Sequence, residues 1–248
     1  MPRYFLHLAY NGAPFHGWQS QPNAVSVQET IEKAMTTILR SEIKITGAGR
    51  TDTGVNARSM FAHFDIDNKI ADTRRFIMAL NSLVGKDIAV YGVKEVSDDA
   101  HARFDATART YKYFIGLQKS PFDYNFCWTP PFTLDVEAMN EAASHLFDYI
   151  DFTSFSKLHT DVLTNNCKIM YAKWEMEGEQ LVFTVKADRF LRNMVRAIVG
   201  TLVDVGRGKI TVDGFCKIIE SKNRCSAGAS VPGNALFLWN VDYPYPVE

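Results

Sequence analysis

Asp52 stands in the loop Gly49-Arg50-Thr51-Asp52-Thr53-Gly54-Val55, between two stretches whose composition predicts β-strands. A carboxylate on a glycine-flanked turn, with Arg50 two residues upstream, is one way a fold holds an ionised nucleophile in a cleft. It is also how an ordinary turn is built, because Asp and Gly populate turns through local hydrogen bonding and φ freedom. Two further residues carry reactive groups in suggestive places. Arg196 falls on the polar face of a predicted helix, where solvation or a salt bridge accounts for most arginines. Tyr111, in Arg109-Thr110-Tyr111-Lys112-Tyr113, falls on a predicted strand, where tyrosines commonly pack. None of the three specifies a reaction alone. The chain has no phosphate-cradling GxxxxGK[ST], no GxGxxG and no histidine-rich metal cluster.

The elements that must position these residues can be read from periodicity and turn signals. Arg3 to Tyr10 is a strand ending at the turn pair Asn11-Gly12. Ser26 and Glu29 have capping-box spacing, and Val27, Ile31, Ala34, Met35, Ile38 and Leu39 follow on one helical face. Glu42 to Thr46 reads as a short strand, and the alternation of Met60, Ala62, Phe64 and Ile66 as a half-buried one. A helix over Thr73–Leu83 and a strand over Asp87–Val96 complete the first half. The small, polar stretch Asp98–Ala108 marks a boundary, giving halves of 1–104 and 105–248. In the second half, strands are expected near Arg109–Leu117, Asn166–Glu175, Leu181–Ala187 and Ala235–Asp242, with helices near Val136–Leu146 and Val212–Ser221. A helix from Asp188 to about Val205 would put Phe190, Leu191, Met194, Val195, Ile198 and Leu202 on one stripe and Arg189, Arg192 and Arg196 opposite. Strands and helices intermixed throughout indicate an α+β or α/β protein.

Composition sets outer limits. At 248 residues, with 46% hydrophobic and 22% charged, the chain can bury a full core. Its apolar runs fall well short of the roughly 18 residues of a membrane span, and the N-terminus has no apolar core of signal-peptide length. Cys127, Cys167, Cys216 and Cys225 show no metal-ligand spacing, so free buried thiols in a reducing cytoplasm are expected. The formal net charge of −1 gives no overall excess of cations for binding nucleic acid. Basic surface must come from local stripes, for which Arg189–Lys209 and Arg103–Lys119 are the candidates.

Five ordered segments change the weight of the individual residues. Phe15-His16-Gly17-Trp18-Gln19-Ser20-Gln21-Pro22 comes first, then the Gly49–Val55 loop, then Ala102-Arg103-Phe104-Asp105-Ala106-Thr107-Ala108-Arg109-Thr110-Tyr111-Lys112-Tyr113. Phe152-Thr153-Ser154-Phe155 and Asn193-Met194-Val195-Arg196-Ala197-Ile198-Val199-Gly200 follow. Taken together the series resembles the TruA family of tRNA pseudouridine synthases, from about Tyr4 to Pro244. The sequence departs from that pattern at Asn56, where the family has His, and at Ser230-Val231-Pro232-Gly233-Asn234-Ala235-Leu236, where it has A-P-A-x-G-L.

The resemblance implies two ferredoxin-like halves forming a mixed, mostly antiparallel sheet flanked by helices. It implies a cytoplasmic homodimeric isomerase that needs no metal or organic cofactor and modifies uridines 38 to 40 of the tRNA anticodon arm. Asp52 matches the nucleophile, Arg196 the arginine that keeps it ionised, and Tyr111 the tyrosine that stacks on uracil. Arg50 matches an arginine that holds the flipped base. Arg189, Arg192, Arg109 and Lys112 are expected to contact RNA. The chemistry agrees with a single acid: an isomerase adds no water, so the second carboxylate of a glycoside hydrolase is not needed. Asp52-Thr53-Gly54 is also the D-T-G of aspartic proteases, but no second copy exists to form a dyad. A non-catalytic RNA-binding module, with Asp52 as a turn residue, and an enzyme for other RNA uridines are the remaining alternatives.

Overall fold

A computed structural model of the chain describes residues 1–157 and 163–247. The chain divides into two compact units, Met1–Thr107 with Leu238–Glu248, and Ala108–Phe237. Both are α+β, as expected from the sequence.

The first unit begins with β1 (Arg3–Tyr10) and α1 (Val27–Leu39), followed by β2 (Thr46–Gly47) and β3 (Asn56–Asp65). It continues with α2 (Thr73–Leu83) and β4 (Ile88–Val96). Ser26 caps α1 by accepting the Glu29 N–H, while the Glu29 carboxylate turns along the helix to Lys33 at 2.5 Å. β1 lies between β4 and β3, antiparallel to both.

Alternation sends Tyr4 and Phe64 to one face, where Phe64 meets Phe76 of α2. Phe5, Phe61 and His63 face the other way. There Tyr243 packs edge-on against Phe5 and Phe61, at 5.4 and 5.5 Å between centroids. Met60 to Phe64 are therefore buried without interruption, in contrast to the half-buried strand expected. The covering comes from the chain's far end, which no local pattern reports. It is held there by Tyr243 Oη donating to the Ala102 carbonyl at 2.5 Å and by the Thr107 N–H donating to the Asp242 carbonyl at 2.8 Å.

The strand expected over Glu42–Thr46 is only Thr46–Gly47, paired to His63 and Ala62. Helix α1 takes the upstream donors instead. The Ile43 N–H donates to Thr36 Oγ1, and the Ile45 N–H to Glu32 Oε1 at 3.0 Å. Glu32 is 8% exposed and also accepts from Gln28 Nε2.

The second unit contains β5 (Ala108–Gly116), α3 (Val136–Ser144), β6 (Ile169–Glu177) and β7 (Gln180–Ala187). After them come α4 (Met194–Gly206) and α5 (Val212–Glu220). β7 lies between β5 and β6, antiparallel to each. The last strand, β8 (Leu236–Asp242), is next to β3 in the strand order and carries the chain back into the first unit.

Helix α4 starts six residues later than its apolar stripe predicts. Asp188 Oδ1 accepts the N–H groups of Lys168 and Arg189, and the Arg192 carbonyl accepts the Lys157 N–H. Asn193 then takes φ 66°, a left-handed conformation no α-helix continues through. Arg189 and Arg192 consequently lie outside the helix, and the arginine stripe expected at i, i+3, i+7 does not form. Of the four thiols, all free, Cys127 and Cys167 are buried; Cys216 is half-buried and Cys225 exposed, contrary to the expectation that all four are buried.

Two stability predictions follow from these contacts. Glu32→Ala leaves the Ile45 N–H without its acceptor and should lower unfolding free energy by about 1–3 kcal/mol in urea titration. His63, whose Nδ1 accepts the Ala102 N–H at 3.1 Å, is held down to a pKa of about 4 by burial, then by the positive charges of His101 and Arg3. The folded chain thus keeps His63 neutral, whereas the unfolded chain protonates it below its ordinary value of 6.5. Its contribution is full above pH 6.5 and is lost as pH falls toward 4. Melting temperature should drop across that window, and His63→Gln should flatten part of the slope.

Candidate functional site

The Asp52 loop is shaped by what grips its backbone. The Thr51 carbonyl accepts the Trp18 N–H at 3.3 Å, and Thr51 Oγ1 hydrogen-bonds Tyr10 Oη at 2.9 Å. The Val55 N–H closes a tight turn onto the Asp52 carbonyl at 3.1 Å, with Gly54 at φ 77° inside it. Gly17 sits against the same Thr51 carbonyl. A Cβ there would lie 2.3 Å from that oxygen, and its φ of 89° suits only glycine. The segment around Gly17-Trp18 is therefore a brace that sets the height and direction of the Asp52 loop. Asp52 itself is half-buried, with Arg50 exposed two residues away.

Asn56, one of the two departures from the resembled pattern, belongs to the same brace. It is 1% exposed, and its Oδ1 accepts the Gly12 N–H at 2.8 Å. An amide there ties the start of β3 to the turn after β1, a role its sequence position did not disclose.

In the second unit, Tyr111 is on β5 opposite Val185, half-buried, with its ring edge-on to Phe190 at 5.1 Å. Two residues along, on the same side of the strand, Tyr113 is fully buried and donates to the Pro232 carbonyl at 3.1 Å. Burial pushes the Tyr113 hydroxyl far above its ordinary value despite the opposing charge of Arg196, so it stays protonated. Arg196 is in the first turn of α4. Its Nε donates to the Val231 carbonyl at 2.8 Å, and the Val231 N–H donates back to the Arg196 carbonyl at 3.3 Å.

This two-way clasp explains the second departure. Ser230 Oγ accepts from Asn193 Nδ2 at 2.7 Å and from Arg224 Nη2 at 3.0 Å. Asn193 in turn is the left-handed residue that starts α4. The Ser230–Pro232 segment thus fixes both the start of the helix and the direction of the Arg196 guanidinium. The segment's bonds to Asn193 and Arg196 span 37 and 35 residues and leave no local pattern in the sequence.

The basic residues expected to meet RNA have varied surroundings. Arg109 Nη1 donates to the Asp188 carbonyl at 2.9 Å, and Lys112 Nζ lies 2.5 Å from Glu177. Arg189 is half-buried, and Arg192 is exposed. Lys209 and Arg207 pair with Asp204 at 3.1 and 3.8 Å, and Arg207 also covers the Phe132 ring at 3.9 Å. At the end of the Arg189–Lys209 stripe, Arg207 and Lys209 thus share one carboxylate. In the first unit a cavity of about 150 Å³ opens beside the Asp52 loop, lined in part by Arg50 and Arg103.

The family model described as tRNA pseudouridine synthase matches residues 8–105 and 142–244. A Parabacteroides distasonis protein named tRNA pseudouridine synthase A is 59% identical over all of both chains. Relatives of the same name from Bacteroides thetaiotaomicron and Porphyromonas gingivalis are 60% and 53% identical. The first covers 98% of this chain and 91% of its own length, the second 98% of each. Among the described residues, no helix is long and apolar enough to cross a membrane.

The Gly17 brace yields a direct test. Gly17→Ala must either move the Thr51 carbonyl or strain φ, and should lower unfolding free energy by about 1–3 kcal/mol. A crystal structure of the variant should show Thr51 and Asp52 displaced together while β1 and β3 stay in register.

Proposed function

The chain belongs to the tRNA pseudouridine synthase family, and from that premise we propose how its own residues carry out the isomerisation of uridine in tRNA. The reaction breaks the N1–C1′ bond, turns the uracil and forms the C5–C1′ bond; C5 gives up its proton and N1 takes one up, so no atom is gained or lost overall. It needs one ionised nucleophile and a pocket that holds the detached base. Asp52 is the nucleophile, acting at the sugar C1′, at the uracil C6, or by assisting elimination to a glycal. The observation that carries this assignment is the loop itself. Asp52 is a half-buried carboxylate on a turn whose backbone is gripped at Thr51, Gly54 and Val55, so the acid is held in place before substrate arrives.

Tyr111 supplies the ring on which the target uracil stacks, and its hydroxyl helps take the C5 proton. Its edge contact with Phe190 supports this by fixing the ring plane. Arg196 supplies a guanidinium that stabilises an anion of the reaction, supported by the Val231 clasp that fixes its direction. Arg50 holds the target base out of the RNA stack, a step that costs a few kcal/mol and least where pairing is weak. Uridines 38 to 40, at the border of the anticodon loop and stem, meet that condition.

A homodimer in which one tRNA spans both copies would pool basic surface that a chain of net charge −1 has in short supply. Arg189, Arg192, Arg109 and Lys112 are the phosphate contacts we assign. The free thiols fit a reducing cytoplasm.

Incubation with unmodified tRNA and mapping by carbodiimide-blocked reverse transcription tests the reading. Stops at positions 38 to 40 should appear with the wild-type chain and vanish with Asp52→Ala, while tRNA affinity stays within a few-fold. Absence of pseudouridine from every tRNA tried would refute it. Arg196→Lys should lose at least about tenfold in turnover, since one ammonium cannot reproduce a guanidinium's two-point hold.

A further inference from the structure

The turn from His101 to Asp105 in the first unit holds an apolar ring out in water. Phe104 is 74% exposed, yet the backbone around it is pinned at nearly every point. The His101 N–H donates to Asp105 Oδ2 at 2.7 Å, and the Asp105 N–H returns to the His101 carbonyl at 3.0 Å. His101 Nδ1 accepts the N–H groups of Arg103 and Phe104 at 3.1 and 3.2 Å. Burial holds the His101 imidazole below its ordinary pKa despite the pull of Asp105, so Nδ1 keeps the lone pair these bonds need. Ala102 is tied at both ends, donating to His63 Nδ1 and accepting from Tyr243 Oη, and Tyr245 Oη donates to Asp105 Oδ2.

The same imidazole backs the Phe104 ring, at 4.2 Å between centroids and 33° between planes. The Arg103 guanidinium carbon stands 5.6 Å from the ring centre and leaves the ring open to solvent. Exposed apolar side chains are common singly. This one differs in the order around it: the hydrogen bonds of the turn do not need the ring, yet they and the imidazole fix its direction. Arg103, the preceding residue, lines the cavity beside the Asp52 loop, so the ring stands one residue from that cavity. One ring is too small to hold a second protein, since a stable interface buries about 800 Å² on each partner and an aromatic side chain only about 150–250 Å². A nucleobase is matched by a single aromatic face, and stacking on it is indifferent to sequence.

We propose that Phe104 is a stacking platform for a base of the tRNA flanking the target uridine. The proposal rests on the family reading above and adds Phe104 to the substrate surface. Tyr111 takes the target base itself, and Phe104 takes a neighbour. The contact is made through the π-face and not through charge, so it is distinct from the phosphate contacts in both chemistry and salt dependence.

Phe104→Ala, Phe104→Leu and Phe104→Trp test it, each made in the Asp52→Ala chain so that tRNA binding is read without turnover. Because the ring is exposed, all three should melt within about a degree or two of the Asp52→Ala parent. The Ala and Leu variants should bind unmodified tRNA about tenfold more weakly, and the Trp variant within about threefold of the parent. The slope of log affinity against log salt should be the same in every chain, since no charge is removed. Among tRNAs carrying one abasic site beside the target uridine, one should bind the parent about tenfold more weakly than intact tRNA does. It should bind the Phe104→Ala chain no more weakly than intact tRNA does, because the two losses remove the same contact. Parental affinity in Phe104→Ala would overturn the proposal, as would a leucine that binds as well as phenylalanine. Conversion of a dimer to a monomer by Phe104→Ala, read by sedimentation, would place the ring between two copies and also overturn it. Pseudouridine mapping with the wild-type chain decides the isomerase reading separately.

Discussion

The Thr51 carbonyl is the fixed point of the first unit's functional loop. It accepts the Trp18 N–H, and only a glycine at position 17 leaves room beside it. A loop otherwise free to sample many turn geometries is thereby reduced to one, and Asp52, the next residue, inherits that order. The same segment continues into the cap of α1, where the Gly17 and Trp18 carbonyls accept the Val27 and Gln28 N–H groups. Helix, brace and loop are thus linked by main-chain bonds, so the carboxylate is held by the scaffold and not by its own side-chain contacts alone.

A comparable arrangement orders the second unit. Arg196 and Val231 exchange hydrogen bonds in both directions, and Ser230 ties Asn193 to Arg224 just beside them. In each unit, irregular backbone is satisfied by another irregular segment distant in sequence. Buried backbone groups need such partners, and supplying them from loops lets chemistry-bearing side chains sit outside regular elements without losing order. Both departures from the resembled pattern, Asn56 and Ser230, are hydrogen-bonding members of these braces. The differences therefore lie in the supports, while the proposed reactive groups are unchanged.

Charge follows a similar economy of placement. The chain is nearly neutral overall, and several of its basic residues are matched by nearby acids such as Asp204 and Glu177. Arg50 and Arg103 line a cavity beside the Asp52 loop.

The amino-acid order alone determined the element types, most boundaries, and the motif set that identifies the family. β1, α2, β7 and the capped start of α1 carry their signals within a dozen residues, through alternation, 3.6-residue period and cap chemistry. Asp52, Tyr111 and Arg196 were legible as candidates because their flanking residues form ordered motifs. What needed the tertiary structure was everything set by partners far along the chain. The late start of α4 depends on Asp188 bonding Lys168 and Asn193 bonding Ser230, so an apolar stripe of helical period extends into residues that are not helix. β2 is short because Thr36 and Glu32 of α1 take its donors. β3 is covered on both faces because Tyr243 returns from the end of the chain. Periodicity reports which side chains avoid water. Only the folded chain decides which backbone groups and which charges find one another, because those pairings depend on distance in space and leave no period in the sequence.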